Sequence, residues 1–411
     1  MAEPTIKELE GKVVALEQKL ETQLTAQSLA HVSKIYPKEK TVVFVGINYF
    51  GDNIKYAYLA FREYSKNKNV TCHFLIEDQN QQKLLKAAGI SYLSSSDPHY
   101  IQTLLSTKIA VLYDNFYPQN AGGPIPHALL QGAKFIQLWH GIPLKEIGLQ
   151  SFSHVGVMAG CGPFEALIAT NQSSLKAWQQ RFSFHEFAAL GYPRNDVFFR
   201  DLTKSDLINV DEESLSRIKT AQHQGKLVIL YSPTFRDHAG PAWFAKADIL
   251  SFADFCRSRD CLLCINLHPS EQGATAELRR RYPNLWFLAP YMDIYPIVKN
   301  VDLLMTDYSS LALDFLLRDK PLLFYRPDHE DYVANSRPLI KGREYYTPGA
   351  ISYNIESLIK TGDAALNSLD KPSSDTFRNA RRALRNELFD HHDGKAANRI
   401  CKLIMKYLEA P

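Results

Sequence analysis

From residue 41 onward, short apolar runs alternate with helical stretches. TVVFVGI (41–47), VTCHFLIE (70–77), KIAVLYD (108–114) and AKFIQLWHG (133–141) read as strands. Helices are predicted near 53–66 and 79–88, with ISYL between the second helix and the third strand. Apolar runs of this length between helical stretches predict a parallel sheet, whose strands are buried on both faces. The chain turns polar over 195–225, and a second alternation follows. KLVILYSP (226–233), CLLCINLHP (261–269), LWFLAP (285–290), VDLLMTD (301–307) and KPLLFYRP (320–327) predict a second parallel sheet. The expected fold is α/β, with two Rossmann-like, doubly wound domains facing a cleft. Their expected bounds are 41–200 and 225–385, with a helix in 1–35 and a C-terminal helix in 386–411. Open α/β sheets bind ligands at the carboxyl ends of their strands, which places the site in the cleft.

Residues 5–31 follow another period. Ile6, Leu9, Val13, Leu16 and Leu20 recur at spacings of three and four, interrupted only by Gly11. This predicts a heptad-like helix that pairs with another helix or docks on its own domain. Six Lys and six Glu up to Lys40 give it no excess positive charge for lipid, so homo-oligomerisation or docking is the expectation.

At 411 residues the chain has room for two cores. Lys plus Arg total 47 against 44 acidic residues, a net +3 that gives no reason to expect nucleic acid. No run of 18 apolar residues predicts a membrane-spanning helix, and MAEPTIKELEGK lacks the regions of a secretory signal. Six dispersed cysteines read as reduced cytosolic thiols. Cys261 and Cys264 fall in a strand pattern that turns them to opposite faces, which favours core thiols over a metal or redox pair.

Several motifs are missing: GxxxxGK[ST], HExxH and GxSxG. GCGPFE (160–165) starts like a dinucleotide loop but lacks the third glycine. Asp390-His391-His392-Asp393 has metal-ligand residue types but reads as a solvated helix terminus, so no metal site is assigned. The informative residues follow directly after apolar strands. His140 closes a strand and precedes Gly141 and Pro143; it is either a base at cytosolic pH or a histidine bonded within a turn. His268 closes a strand in the second half. Arg236, in YSPTFRD, has the forked donors for a phosphate, or else pairs with Asp237. Thr306-Asp307-Tyr308-Ser309-Ser310 runs from a strand into a helix start, suited to a pyrophosphate or to an ordinary cap. Together these groups suit a nucleotide-diphosphate donor whose phosphoryl or glycosyl group moves to a hydroxyl.

In this order the motifs resemble the CDP-glycerol glycerophosphotransferase family, the teichoic acid primases and polymerases and their capsule-synthesis relatives. The matching stretches are QLWHGIPLKEIG (137–148), GYPRNDVF (191–198), YSPTFRD (231–237), LHP (267–269), MTDYSSLALDF (305–315), PLLFYRPDHEDY (321–332), TPGA (347–350) and HDGKAANRI (392–400). The resemblance covers about 130–405. It implies a glycosyltransferase-B type fold and transfer of a polyol phosphate from CDP-glycerol, or CDP-ribitol, with CMP leaving. The acceptor is then a hydroxyl of a cell-surface glycan or lipid-linked molecule. It also implies His140 as base and His268 as its partner in the donor domain. Donor phosphates fall to Arg236, Thr306, Asp307, Ser309 and Ser310. Trp139, Gly141, Lys145, Arg194, Asp196, Asp237 and Asp314 lie in the same motifs as supporting residues. With no DxD-type carboxylate pair, no tightly bound metal is expected, and loosely associated Mg²⁺ remains compatible. The implied location is cytoplasmic and peripheral on the inner face of the membrane.

Two basic clusters bear on the acceptor. Arg378, Arg381, Arg382 and Arg385 recur at helical spacing, and Arg279–Arg281 form the second; each is an anion-binding patch or a solvated helix face. Competing readings are a nucleotide-sugar glycosyltransferase on the same fold and a catalytically silent polymer-binding scaffold.

Overall fold

The computed structural model describes residues 6–114, 124–150, 162–234, 236, 248–267, 284–335, 338–343 and 346–410. Among these residues twelve strands form two six-stranded sheets, and every pairing between named strands is parallel. The first contains β1 (Thr41–Ile47), β2 (Thr71–Ile76), β3 (Ile109–Leu112), β4 (Lys134–Gln137), β5 (Phe164–Ala169) and β6 (Phe184–Ala189), in the order β2-β1-β3-β4-β5-β6. The second contains β7 (Val228–Tyr231), β8 (Leu262–Ile265), β9 (Leu285–Phe287), β10 (Leu303–Thr306), β11 (Leu322–Tyr325) and β12 (Ala350–Ser352), in the order β12-β11-β10-β7-β8-β9. The two doubly wound sheets are as predicted, with β5, β6 and β12 added to the nine strands that the apolar runs mark.

Each sheet is covered on both faces, which is why its strands read as nearly continuous apolar runs. Val228, Leu230 and Cys264 join one core cluster, while Ile229, Leu263 and Cys261 join the opposite one. The two cysteines therefore point to opposite faces as buried thiols. Burial pushes Cys264 up to about 12 and Cys261 up to about 11, so neither is a thiolate at neutral pH.

Differences from the sequence expectation have physical causes. β5 (FEALIA) is buried and apolar but for Glu165, while β6 (FHEFAA) carries polar residues because it is an edge strand, partly exposed. Gly162 of GCGPFE precedes a strand, whereas a dinucleotide loop must follow one; Gly160 and Cys161 lie outside the described residues. The polar stretch 195–225 is ordered as a 3₁₀ segment (Pro193–Phe199), a second 3₁₀ turn and a helix, Glu212–His223, capped by Asp211.

The last helix, Ala396–Glu409, returns to the first sheet. Ile400, Leu403, Ile404 and Leu408 are buried with Val42, Phe44 and Ile168, beside helix α2 (Asp52–Tyr64). Asp196 accepts the N–H groups of Ala396 at 2.9 Å and Ala397 at 2.8 Å, which caps that helix. A buried ion pair ties the halves together. Lys55 of α2 lies 2.7 Å from Asp293 of the second half, both fully buried, and it also donates to the carbonyls of Asp206 and Ile208. Tyr56 adds a hydroxyl donor to Asp293 at 2.6 Å. A lysine this dry persists only because its hydrogen-bonding capacity is met.

Candidate active site

The strand orders create two switch points. In the first sheet the chain leaves β1 for β2 on one side, then crosses to β3 on the other; in the second it leaves β7 for β8, then crosses to β10. Loops diverge at such points, and ligands bind there. The candidate residues stand at both. Asp52 and Asn53 follow β1, Asp114 follows β3 and His140 follows β4, while Thr234 and Arg236 follow β7 and Asp307–Ser310 follow β10.

The loop after β4 is held in a conformation that bulky residues rarely adopt. Trp139 has φ +57, in the left-handed region, and Gly141 has φ +145. Gln137 accepts the Trp139 N–H at 2.9 Å, and Asn53 donates to the Trp139 carbonyl at 2.7 Å. The Trp139 ring is buried against Phe182, and the His140 ring stacks on it at 4.4 Å. His140 is thereby turned outward, 43% exposed, with Nδ1 at 3.4 Å from Asp114 Oδ1. Gly141 brings the loop against the second half: a Cβ there would stand 2.9 Å from Ser310 Oγ and 3.0 Å from the Arg194 guanidinium. The glycine is required by contact as much as by its dihedral angle.

Between this loop and the turn after β10 lies a cleft of about 230 Å³. His140, Gly141 and Lys145 line one side, and Thr234, Ser309 and Ser310 line the other. Thr234 donates its N–H to Asp307 at 2.8 Å, and its buried hydroxyl has no hydrogen-bond partner among the described residues. A larger cavity of about 550 Å³ lies behind α2 and the start of the C-terminal helix; Asp196 is the predicted site residue that lines it. The smaller cleft is the candidate active site, because it holds the strand-end histidine and hydroxyls together.

A buried charge web sits beneath the cleft. Arg194 donates to both oxygens of Asp52 at 2.8 Å, to Asp314 at 2.6 Å and to the His140 carbonyl at 2.8 Å. Asp314 also accepts from Asn195 at 2.9 Å and Tyr295 at 2.7 Å. Burial would lower the Arg194 pKa, but Asp314 and Asp52 outweigh it and hold the guanidinium charged. Burial raises the Asp52 carboxyl above its ordinary range, against the pull of Arg194.

Arg236 serves the fold in the same way. Its guanidinium is fully buried, 2.8 Å from Asp307 and 2.7 Å from Asp328, and it also contacts the Thr234 carbonyl and the Tyr332 ring. Burial opposes its charge, while Asp328 and Asp307 raise its pKa. Asp237 lies outside the described residues, and among those described two carboxylates, Asp307 and Asp328, hold the Arg236 fork.

The other predicted residues divide similarly. The Thr306 hydroxyl is buried and donates to the Ser232 carbonyl at 2.6 Å, and the Asp307 carboxylate is buried against Arg236, so neither faces the cleft. Ser309 and Ser310 do face it. The helix they start, Leu311–Phe315, is five residues long, too short for the strong macrodipole the sequence suggests. Asp196 caps the C-terminal helix, away from the histidine. Lys145 lines the cleft with its Nζ 5.3 Å from the Tyr332 ring centroid. His268 and Asp237 lie outside the described residues, as do Arg279–Arg281.

Outside the cleft, the arginine helix Arg378–Leu388 is largely paired: Arg382 reaches Asp319 at 2.7 Å, and Arg381 is buried against Asp375. The Asp390–Asp393 segment is an exposed link between helices, where Asp390 accepts the Gln172 N–H at 2.7 Å. The site residues the sequence reading missed are Asp114, Asp52, Asn53 and Asp328. Asp114 and Asp52 carry a legible signal, since each is a carboxylate just past an apolar strand. Asp328 reaches the site only through a contact 92 positions distant in sequence.

Residues 28–406 match the family described as CDP-glycerol:poly(glycerophosphate) glycerophosphotransferase. The teichoic acid ribitol-phosphate polymerase TarK of Staphylococcus aureus is 26% identical over 67% of this chain and 54% of its own. The teichoic acid poly(glycerol phosphate) polymerase of Bacillus subtilis is 25% identical over 89% of this chain and 48% of its own. The chain thus spans about half the length of these curated relatives. Among solved structures, the wall teichoic acid polymerase TagF superposes with a TM-score of 0.71 at 21% identity, covering 99% of both chains, a likeness of fold. With a family match that runs from within the first helix to within the last, the chain belongs to the CDP-glycerol:poly(glycerophosphate) glycerophosphotransferase family.

Proposed function

We propose that this protein transfers a polyol phosphate, glycerol 3-phosphate foremost, from a CDP-linked donor to a hydroxyl of a glycan or lipid-linked acceptor in teichoic acid or capsule polymer synthesis. The observation that carries the reading is the cleft that sets His140, beside Asp114, across from Thr234, Ser309 and Ser310 at two facing switch points. Its relatives include polymerases of both glycerol phosphate and ribitol phosphate, so CDP-ribitol is the second donor to test.

In this scheme the acceptor oxygen attacks the β-phosphorus, which carries the polyol. The bond from that phosphorus to the bridging oxygen breaks, CMP leaves, and the acceptor proton passes to His140 Nε2. Asp114 steadies the imidazolium through Nδ1. Hydroxyl and N–H donors of Ser309, Ser310 and Thr234 meet the pyrophosphate charge as it builds, and His268 serves as their partner in the donor domain. Arg236 and Asp307 act by shaping that turn. The scheme assigns no resident metal and leaves Mg²⁺ to travel with the nucleotide. Among the described residues no helix is long and apolar enough to cross a membrane, and a lipid-linked acceptor would bring the protein to the membrane's inner face.

The test is CMP release from CDP-glycerol and CDP-ribitol in parallel, with lipid-linked and oligosaccharide acceptors. Acceptor-dependent CMP from one donor, lost in His140→Ala, establishes the reaction and names the polyol. Turnover of a nucleotide sugar with neither CDP-polyol consumed would replace the reading with a glycosyltransferase.

A further inference from the structure

Helix α1 (Ile6–Ile35) carries a surface that the transfer reaction does not use. Its 30 residues extend about 45 Å at 1.5 Å per residue. Its base is anchored. The buried Ser33 hydroxyl donates to the Leu129 carbonyl at 2.6 Å and accepts the Gly132 N–H at 2.9 Å, and Leu29 packs on the first domain's core. A Cβ at Gly132 would stand 2.1 Å from the Ser33 carbonyl oxygen, so the seat is close-fitting. Over residues 12–25 every side chain is exposed, and Val13, Leu16 and Leu20 are 52%, 64% and 57% exposed. A stretch this long gains little helical stability without a packed face.

The register says what covers that face. Ile6, Val13 and Leu20 fall at heptad position a, and Leu9 and Leu16 at d. Ile6 and Val13, β-branched at a, with Leu9 and Leu16 at d favour two parallel strands, and the pattern weakens at Leu20 and Gln23. Gly11 falls at f, outermost from the seam. The flanks carry the same instruction: Glu10 and Glu17 occupy e, while Lys12 and Lys19 occupy g. A parallel pair sets g against e, so Lys12 meets Glu17 of the partner subunit. An antiparallel pair would set lysine against lysine and glutamate against glutamate. An anionic lipid surface, by contrast, would face two glutamates on one flank.

We propose that residues 6–24 of α1 form a parallel coiled coil with the same segment of a second copy of this chain. The seam holds fewer than three heptads, so association is reversible and concentration-dependent.

Sedimentation velocity on the full chain across two decades of concentration tests this. The mass rises from one chain to two, and Leu16→Glu/Leu20→Glu stays at one chain throughout with unchanged circular dichroism outside the helix contribution and an unchanged melting temperature. Lys12→Glu raises the dimer dissociation constant several-fold, and adding Glu17→Lys restores it. A wild-type chain that stays monomeric overturns the proposal, whether or not the same leucines carry it onto phosphatidylglycerol vesicles. A dimer that survives the double glutamate variant overturns it as well. Neither outcome touches the CMP-release test, so the two readings fail separately.

Discussion

Arg194 donates to Asp314 at 2.6 Å, joining the segment after β6 to the short helix after β10, with both side chains buried. Because the same guanidinium holds Asp52 and the His140 carbonyl, this pair sets the position of the His140 loop against the turn bearing Ser309 and Ser310. Arg194→Ala leaves the buried Asp314 and the partly exposed Asp52 without their cation and should cost about 3 kcal/mol. Urea titration reads the loss, and Arg194→Lys should recover only part of it, because an ammonium cannot fork between Asp52 and Asp314. A melting curve unchanged in Arg194→Ala would remove the web from the account of the cleft.

Asp114 is predicted to position His140. Asp114→Asn keeps the size of the side chain and removes its charge, so kcat should fall by roughly tenfold to a hundredfold with the donor KM nearly constant. Both residues are about half exposed, so stability should hold. A variant that lost donor affinity and kept kcat would assign Asp114 to binding.

Arg236→Lys separates two roles. A lysine keeps the charge that a phosphate would feel, but it cannot span Asp307 and Asp328. The expected result is a lower melting temperature together with a higher donor KM, because the turn bearing Ser309 and Ser310 loosens. A higher KM with no change in melting would make the arginine a direct phosphate ligand.

The cap of the C-terminal helix should leave a pH signature. Burial raises Asp196 to about 6, against the pull of the Ala397 and Ala396 N–H groups. An unfolded aspartate titrates near ~3.9, so between ~4 and ~6 the native state holds a proton that the unfolded chain releases. The contribution to stability is therefore full below ~4 and is lost as pH rises through 6, by roughly 2–3 kcal/mol. Asp196→Asn should flatten that part of the pH dependence in denaturant titrations. Parallel curves for the two proteins across the window would rule the carboxyl out as its source.

The sequence by itself determined the two parallel sheets, because strands buried on both faces must be apolar at every position and so stand out as runs. It also pointed to His140, Gly141, Ser309 and Ser310, since a polar residue just past such a run is placed at a sheet's ligand-binding edge. The edge strand β6 escaped that logic, being partly solvated. What only the tertiary structure decided is which charged residues face the cleft and which hold it in shape. Arg236 and Asp307 read from sequence as phosphate contacts, yet each is buried against the other. Asp196 reads as part of the site, yet it caps a helix 200 positions further on. Asp114 and Asp328 acquire their roles through partners that no local pattern names. A charged side chain's role is set by the charges it meets and the water it loses, and both depend on how distant segments pack.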